Sequence, residues 1–92
     1  MNDRILFKLA DGWAFGFDPS QWIIFRQRNL RTQTGWKPVS FIATKKSILL
    51  RVLREKRIQP NPEAIKYLDA LPDTFKEWLN LREASERDFQ VS

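Results

Sequence analysis

Residues 13–28 read WAFGFDPSQWIIFRQR, and this stretch decides the fold. Trp13, Phe15 and Phe17 alternate with smaller residues, and this period of two is typical of a β-strand. Residues 18–20 are Asp-Pro-Ser, which favours a turn because proline presets its backbone angle and aspartate accepts hydrogen bonds from backbone amides ahead of it. The apolar run that follows predicts a second strand, antiparallel to the first.

Upstream of this stretch the alternation continues. Ile5, Phe7 and Leu9 occupy every second position before Asp11-Gly12, a dipeptide that favours a two-residue turn. We therefore expect a hairpin here. A domain of this size has to bury its largest side chains, so the three aromatic residues after the turn are interpreted as core and not as a platform for stacking bases.

Downstream, residues 22–28 predict a third strand that begins apolar on both faces. The polar, glycine-ended composition of residues 29–35 is typical of a loop. Residues 36–43 predict a fourth strand, which Pro38 confines to an edge of the sheet or to the start of the strand, because proline cannot donate to the ladder. The sequence thus predicts four antiparallel strands over about residues 4–43.

After residue 43 the period becomes helical. A first helix is predicted from Thr44 to near Ile58, with Thr44 or Ser47 available to cap its first turn. One face of this helix is apolar. The residues on that face are Ile48, Leu49, Val52 and Leu53.

Two further helices are predicted. Asn61, Pro62 and Glu63 are a start signal: asparagine accepts an unpaired amide, proline tolerates the first helical position, and glutamate suits the positive end of the helix dipole. This second helix continues to about Leu71. After the next proline a third helix extends to about residue 87. Its apolar face carries Phe75, Trp78, Leu79 and Arg82.

Strands followed by helices, and not alternating with them, predict an α+β fold. We expect a four-stranded antiparallel sheet in the N-terminal half, followed by three helices packed on one face of the sheet. The chain of 92 residues is interpreted as a single domain, residues 1–92, with a helical part over about residues 44–88.

The composition argues against catalysis. The chain contains neither cysteine nor histidine, which excludes disulfides, Cys/His zinc sites and the usual nucleophilic triads. Three glycines, at 12, 16 and 35, do not form a phosphate-binding loop. We therefore predict a non-enzymatic protein with no cofactor and no metal. A metal-dependent nuclease that uses only carboxylates and lysines is the minority alternative.

The N-terminal residues carry charges at Asp3, Arg4 and Lys8 and lack the apolar centre of a signal peptide. No stretch approaches the 18 apolar residues that a membrane-spanning helix requires. A cytoplasmic protein with no membrane partner is the expectation.

The net charge of +5 is unevenly distributed along the chain. Residues 19–62 contain ten basic side chains and one acidic side chain, giving +9, whereas residues 1–18 carry −1 and residues 63–92 carry −3. The basic residues are Arg26, Arg28, Arg31, Lys37, Lys45, Lys46, Arg51, Arg54, Lys56 and Arg57. Clustered cations of this kind attract a polyanion such as nucleic acid, or an acidic protein surface.

We predict a binding surface within this basic segment. On the first helix the charged residues lie opposite the apolar face, with Leu50 among them. On the third strand Arg26 and Arg28 share a face with Trp22, because side chains two residues apart point the same way. The predicted contact residues are Arg26, Arg28, Arg31, Lys46, Arg51, Arg54, Arg57, Trp22 and Leu50.

Two other interpretations of the same residues stay open. The charges could be no more than solvated faces of a strand and a helix. In that case the protein would be a structural or oligomerising module, such as a homodimer, that associates through Trp36, Trp78 or Phe75. Apolar association is nearly indifferent to salt, which distinguishes it from binding of a polyanion.

Three segments resemble short accessory proteins encoded in phages and prophages. They are DGWAFGFDPSQWIIFRQR (residues 11–28), WKPVSFIATKKSILLRVLRE (residues 36–55) and LPDTFKEW (residues 71–78). The resemblance implies an accessory protein of a mobile element that acts on nucleic-acid machinery, including inhibition of a host defence complex. It supplies no contact residues, so the host protein complex is a possible partner by resemblance alone.

Overall fold

Four strands and three helices follow one another in a computed structural model that describes residues 5–29 and 34–91. The strands pair antiparallel in the order β1-β2-β3-β4. This arrangement confirms the predicted α+β fold. The elements are β1 (Ile5–Ala10), β2 (Trp13–Asp18), β3 (Gln21–Asn29), β4 (Thr34–Ile42), α1 (Lys46–Glu55), α2 (Pro62–Asp69) and α3 (Phe75–Val91).

The two tight turns use the residues that the sequence indicates. Gly12 has φ of +79°, a left-handed conformation that glycine adopts without the penalty of a Cβ atom. In the β2–β3 turn, Asp18 Oδ1 accepts a hydrogen bond from Ser20 N at 2.7 Å, and Asp18 Oδ2 accepts one from Gln21 Nε2 at 3.1 Å. Both turns join strands that are neighbours in the sheet, so the predicted hairpins are confirmed.

Strand β4 lies at an edge of the sheet, as Pro38 requires. Pro38 pairs with Phe25 next to an irregularity in the β3–β4 register, where Ser40 pairs with Ile24. Proline has no N–H to donate, and Pro38 therefore lies where the ladder of backbone hydrogen bonds is already interrupted. The strand begins at Thr34, two residues earlier than predicted.

All three helices pack on the same face of the sheet, as predicted. They contribute Leu49 and Leu53 from α1, Ala64 and Leu68 from α2, and Phe75 from α3. On the sheet side the same cluster contains Leu9, Phe15, Trp22, Ile24 and Ile42. Since each buried side chain of this size contributes about 1.5–3 kcal/mol, this cluster is the main source of stability.

Trp22 belongs to the centre of this core, and its predicted role as an exposed binding anchor is wrong. Its exposure is 0%, and its ring centroid lies 5.5 Å from that of Phe75 and 6.3 Å from that of Phe15. The prediction failed because β3 is an inner strand, and α3 covers the face that carries Trp22. Within the described residues the indole Nε1 of Trp22 has no hydrogen-bond partner.

The helices begin in three different ways. Asn61 caps α2 as predicted, because its Oδ1 accepts a hydrogen bond from Ala64 N at 2.8 Å. Neither Thr44 nor Ser47 caps α1; its N-cap is Lys45, and Lys46 N donates to Asp73 O at 2.8 Å. The first turn of α1 therefore depends on the segment before α3, a tertiary partner that a local pattern cannot indicate.

At the start of α3, Thr74 and Glu77 form a capping arrangement. Thr74 Oγ1 accepts a hydrogen bond from Glu77 N at 3.2 Å and donates one to the Glu77 carboxylate at 3.2 Å. A threonine followed three residues later by a glutamate is a known signature of a helix start. The sequence interpretation missed it.

The other face of the sheet carries no described helix. Ala14, Ile23 and Phe25 are buried there, with Ile5 and Trp36 packed against them. Phe41 pairs with Ile23 and is 55% exposed. Among the residues that the structure describes, no helix is long and apolar enough to cross a membrane.

Candidate functional site

Strands β3 and β4 bring three cations to one face. Arg26 and Lys37 are directly opposite each other in the β3–β4 register, and Arg28 lies two residues further along β3. All three side chains are exposed. We call this set, Arg26, Arg28 and Lys37, the ribbon cations. The guanidinium of Arg26 lies over the ring of Trp13, 5.4 Å from its centroid, and this cation–π contact limits where the charge can move.

The pairing of Arg26 with Lys37 is unfavourable for the fold. Directly opposite side chains on adjacent antiparallel strands have Cβ atoms about 4.5–5.5 Å apart, and like charges at this separation repel. No described acidic side chain is hydrogen-bonded or ion-paired to either residue. A negative charge placed on this face would relieve that repulsion.

A second group of cations lies on and just beyond α1. Arg51 and Arg54 project from the helix on the side away from its buried residues Leu49 and Leu53, and Arg57 follows the C-cap residue Lys56. We call the set Arg51, Arg54 and Arg57 the α1 arginines. All three are exposed. Arg57 was predicted to lie on the helix, but α1 ends at Glu55.

Arg57 has a strained backbone. Its φ of +58° is the left-handed conformation, and among the described residues it is the only non-glycine residue with a positive φ. The surrounding hydrogen bonds are those of a Schellman motif, with Ile58 N donating to Leu53 O and Arg57 N donating to Arg54 O, both at 3.0 Å. Glycine is the usual residue at this position, and a residue with a Cβ atom costs about 1–2 kcal/mol there.

The segment that follows Arg57 is attached toward the end of the sheet that carries the ribbon cations. Arg26 pairs with Trp13, which in turn pairs with the last residue of β1. The segment after α1 is attached beside this row, because Asn61 N donates to Leu9 O at 2.7 Å. Strands are about 4.8 Å apart, so the attachment lies about 10 Å across the sheet from the backbone of Arg26. Arg57 precedes it by four residues.

Little of this charge is neutralised within the described chain. Arg51 Nε lies 3.6 Å from Glu55 Oε1, but both side chains are about two-thirds exposed, at 64% and 66%. A pair this exposed contributes little and is easily exchanged for another partner. For the ribbon cations and the other two α1 arginines, the described residues provide no ion-pair partner.

Lys46 differs from the other predicted contact residues because its ammonium group is engaged within the fold. Nζ donates to Asp69 O at 3.0 Å and to Leu71 O at 3.1 Å. These carbonyls lie at the end of α2 and just after it, where a positive charge also complements the helix dipole. The structure thus gives Lys46 a structural role, and its binding role stays a prediction.

Leu50 is 40% exposed and lies at an apolar groove between α1 and α2. The groove has a volume of about 270 Å³, and Arg54 and Asp69 contribute polar groups to its lining. Leu50 is thus accessible, as its predicted role in an apolar contact requires. The other lining residues are Leu53, Ile58, Pro60, Ile65 and Leu68.

Arg31 lies outside the described residues. Lys37 was counted in the basic segment but not among the predicted contacts, because its position opposite Arg26 requires the strand register. In the described part of the chain, no three acidic side chains lie together in a way that could hold a metal ion.

Comparison with protein-family models, with curated proteins and with solved structures finds no match to this chain. The interpretation of the surface therefore depends on its own geometry and charge.

Proposed function

We propose that this protein is a non-enzymatic binding protein whose basic surface docks on nucleic acid. The observation that carries the proposal is the exposure of the ribbon cations and the α1 arginines, with one exposed ion pair among them. Nucleic-acid phosphates are the ligands that such a surface attracts most strongly, since each contact releases condensed counterions.

Arg57 adds independent support. A left-handed residue with a large side chain lowers stability, and such strain is concentrated at functional positions. Glycine at this position would favour the fold but remove the charge. The presence of arginine is consistent with a role for its side chain in binding.

The resemblance to phage and prophage accessory proteins suggests a setting for this activity. A protein of this kind would act on nucleic-acid machinery of the host, with a defence complex as one target.

An acidic patch on a protein subunit is the alternative partner for the same surface. Affinity capture from the native host, with and without nuclease treatment, distinguishes the two, because a nucleic-acid bridge is lost on digestion.

The direct test compares two triple variants in a binding titration with a fluorescent DNA duplex. Replacing the α1 arginines by alanine is expected to weaken binding by about 10-fold or more, since three phosphate contacts are removed. The matched control replaces Lys8, Lys66 and Lys76, which are also exposed but lie outside the basic segment. Equal losses in both variants, or no binding of the parent protein, would contradict the proposal.

Self-association through the helix-free face is the second candidate function, and the exposure of Phe41 on the face that also carries Trp36 favours it. Of the other predicted anchors, Phe75 is buried at 4% exposure, and Trp78 packs against Trp22 and Phe17 inside the fold. Analytical ultracentrifugation of the parent and of Phe41→Ser tests this candidate. A dimer that the substitution dissociates supports it, and a monomeric parent removes it.

A further inference from the structure

The paired ends of β3 and β4 form a two-stranded ribbon that extends past the β1–β2 turn. Strand β2 stops pairing with β3 at Arg26, and the next contact is the hydrogen bond from Gln27 N to Gly12 O at 2.8 Å. Beyond that point Arg28 pairs with Gly35, and Asn29 with Thr34, without a third strand beside them. The ribbon is therefore narrow where it leaves the sheet.

The two faces of this ribbon differ in chemistry. The ribbon cations occupy one face, whereas Gln27 and Trp36 form the pair on the other. Residues 26–37 contain no acidic residue. Of the ribbon cations, Arg28 lies on the narrow two-stranded part, and Arg26 and Lys37 lie at its base, where Trp13 of β2 still pairs with Arg26.

The ribbon is narrow enough to enter the major groove of B-form DNA. Two strands lie about 4.8 Å apart, and with their side chains they fit the major groove of B-form DNA, which is about 12 Å wide, but not its minor groove of about 6 Å. In A-form RNA the major groove is deep and narrow, so protein elements cannot enter it. The geometry selects duplex DNA over duplex RNA.

A single strand is a poor fit to the same surface. Binding of single strands combines a basic track with aromatic rings on which bases stack. Here the exposed Phe41 and the partly exposed Trp36 lie on the face opposite the ribbon cations. Trp13 lies on the basic face next to the ribbon cations, but the guanidinium of Arg26 already lies over its ring.

We infer that the β3–β4 ribbon enters the major groove of double-stranded B-form DNA with its basic face toward the phosphates and base edges. This inference rests on the proposed function and names its substrate class. Arg57, whose segment is attached toward the same end of the sheet, then contacts the backbone beside the groove. Arg26 and Arg28 also have the planar donors that recognise guanine O6 and N7, so the ribbon can add base contacts to phosphate contacts.

The first test compares three probes of matched length in the same buffer: a DNA duplex, an RNA duplex and a single DNA strand. The parent protein is expected to bind the DNA duplex about 10-fold or more tightly than either of the others, because only the first offers an accessible major groove. Replacing the ribbon cations by alanine should remove this preference. The control variant of Lys8, Lys66 and Lys76 should keep it.

The second test locates the groove. Methylation of guanine N7, which blocks the major groove, should interfere with binding, and a minor-groove ligand such as netropsin should not displace the protein. Displacement by netropsin, or equal affinity for all three probes, overturns the inference and leaves the proposed function intact. Absence of binding to every probe overturns both.

Folding of the ribbon variant is checked by thermal unfolding. The three positions are exposed, and removal of the Arg26–Lys37 repulsion is expected to leave the melting temperature unchanged or higher. The single variant Arg28→Ala, which keeps the cation–π contact of Arg26, serves as a milder test. Full retention of duplex preference in both variants, with both folded, also overturns the inference.

Discussion

At the scale of single residues, Arg57 shows how stability and binding can oppose each other. Its side chain is exposed in the basic segment, yet its backbone has φ of +58° at the position after α1 where glycine is favoured. The Schellman hydrogen bonds around it, and the burial of Ile58 against the core, hold this conformation in place. The structure therefore fixes a positive charge at a cost in free energy.

Replacing Arg57 by glycine is expected to stabilise the protein and weaken DNA binding. Relief of the left-handed strain, less the greater freedom that glycine gives the unfolded chain, should raise the free energy of unfolding by about 0.5–1 kcal/mol. Chemical denaturation and a binding titration on the same sample measure the two effects. Because the variant is the more stable protein, weaker binding cannot be attributed to unfolding.

The control for this substitution is Arg57→Ala, which removes the same charge but keeps the strain. It should bind as weakly as the glycine variant without the gain in stability. If the glycine variant is not more stable than the alanine variant, the strain assigned to Arg57 is absent.

At the scale of elements, the helices are held by contacts between distant parts of the chain. Lys46 at the start of α1 donates to two carbonyls at the end of α2, and Phe75 N at the start of α3 donates to Thr44 O at 2.9 Å. Asn61 connects the start of α2 to β1 through Leu9 O, and its Nδ2 donates to Lys8 O at 3.4 Å. These contacts set the positions of the helices on the sheet.

Replacing Lys46 by alanine is expected to lower the free energy of unfolding by about 1–2 kcal/mol, because two hydrogen bonds from a charged donor are lost. Lys45→Ala is the matched control, since Lys45 is exposed, adjacent and makes no side-chain capping bond. Urea unfolding monitored by tryptophan fluorescence measures both. Similar losses in the two variants would mean that Lys46 acts only through its charge.

Replacing Asn61 by alanine is expected to cost about 1 kcal/mol, since Ala64 N loses its capping acceptor. Asn61→Asp keeps an oxygen acceptor and adds a negative charge at the positive end of the helix dipole, so it should stay within a few tenths of a kcal/mol of the parent. The same unfolding experiment measures both. A loss of equal size in the aspartate variant would assign the role of Asn61 to its contact with Lys8 O.

Local patterns were sufficient to predict the elements and their order. The strands β1 and β2, the turn at Asp18 and the cap at Asn61 depend on neighbours within a few residues, and the structure confirms them. The strict period of two in β1 is wrong, because register shifts break it and Ile5 packs on the helix-free face, opposite to Phe7 and Leu9. The burial of Trp22, the ammonium contacts of Lys46 and the pairing of Lys37 with Arg26 could not be predicted in the same way. Each depends on strand register or on a partner more than ten residues away.

At the scale of the whole molecule, the charge is divided between a basic middle segment and a more acidic C-terminal segment, residues 63–92, with a net charge of −3. The acids of this segment whose side chains the structure describes form no ion pair with the α1 arginines or the ribbon cations. Glu77, for example, is engaged in capping α3. The basic surface thus keeps its positive potential in the folded protein, and a polyanion can respond to it.

This charge distribution predicts a steep dependence of DNA binding on salt. One phosphate contact for each of the six cations gives a slope of roughly −5.4 in a plot of log affinity against log salt concentration, and removal of the three α1 arginines should reduce it to roughly −2.7. Replacement of Lys8, Lys66 and Lys76 should leave the slope near that of the parent, because those lysines are outside the surface. A duplex titration between 50 and 200 mM salt, about the range over which such slopes are resolved, measures all three proteins. A flat series for the parent would indicate apolar association instead, for which the helix-free face with Phe41 is the available surface.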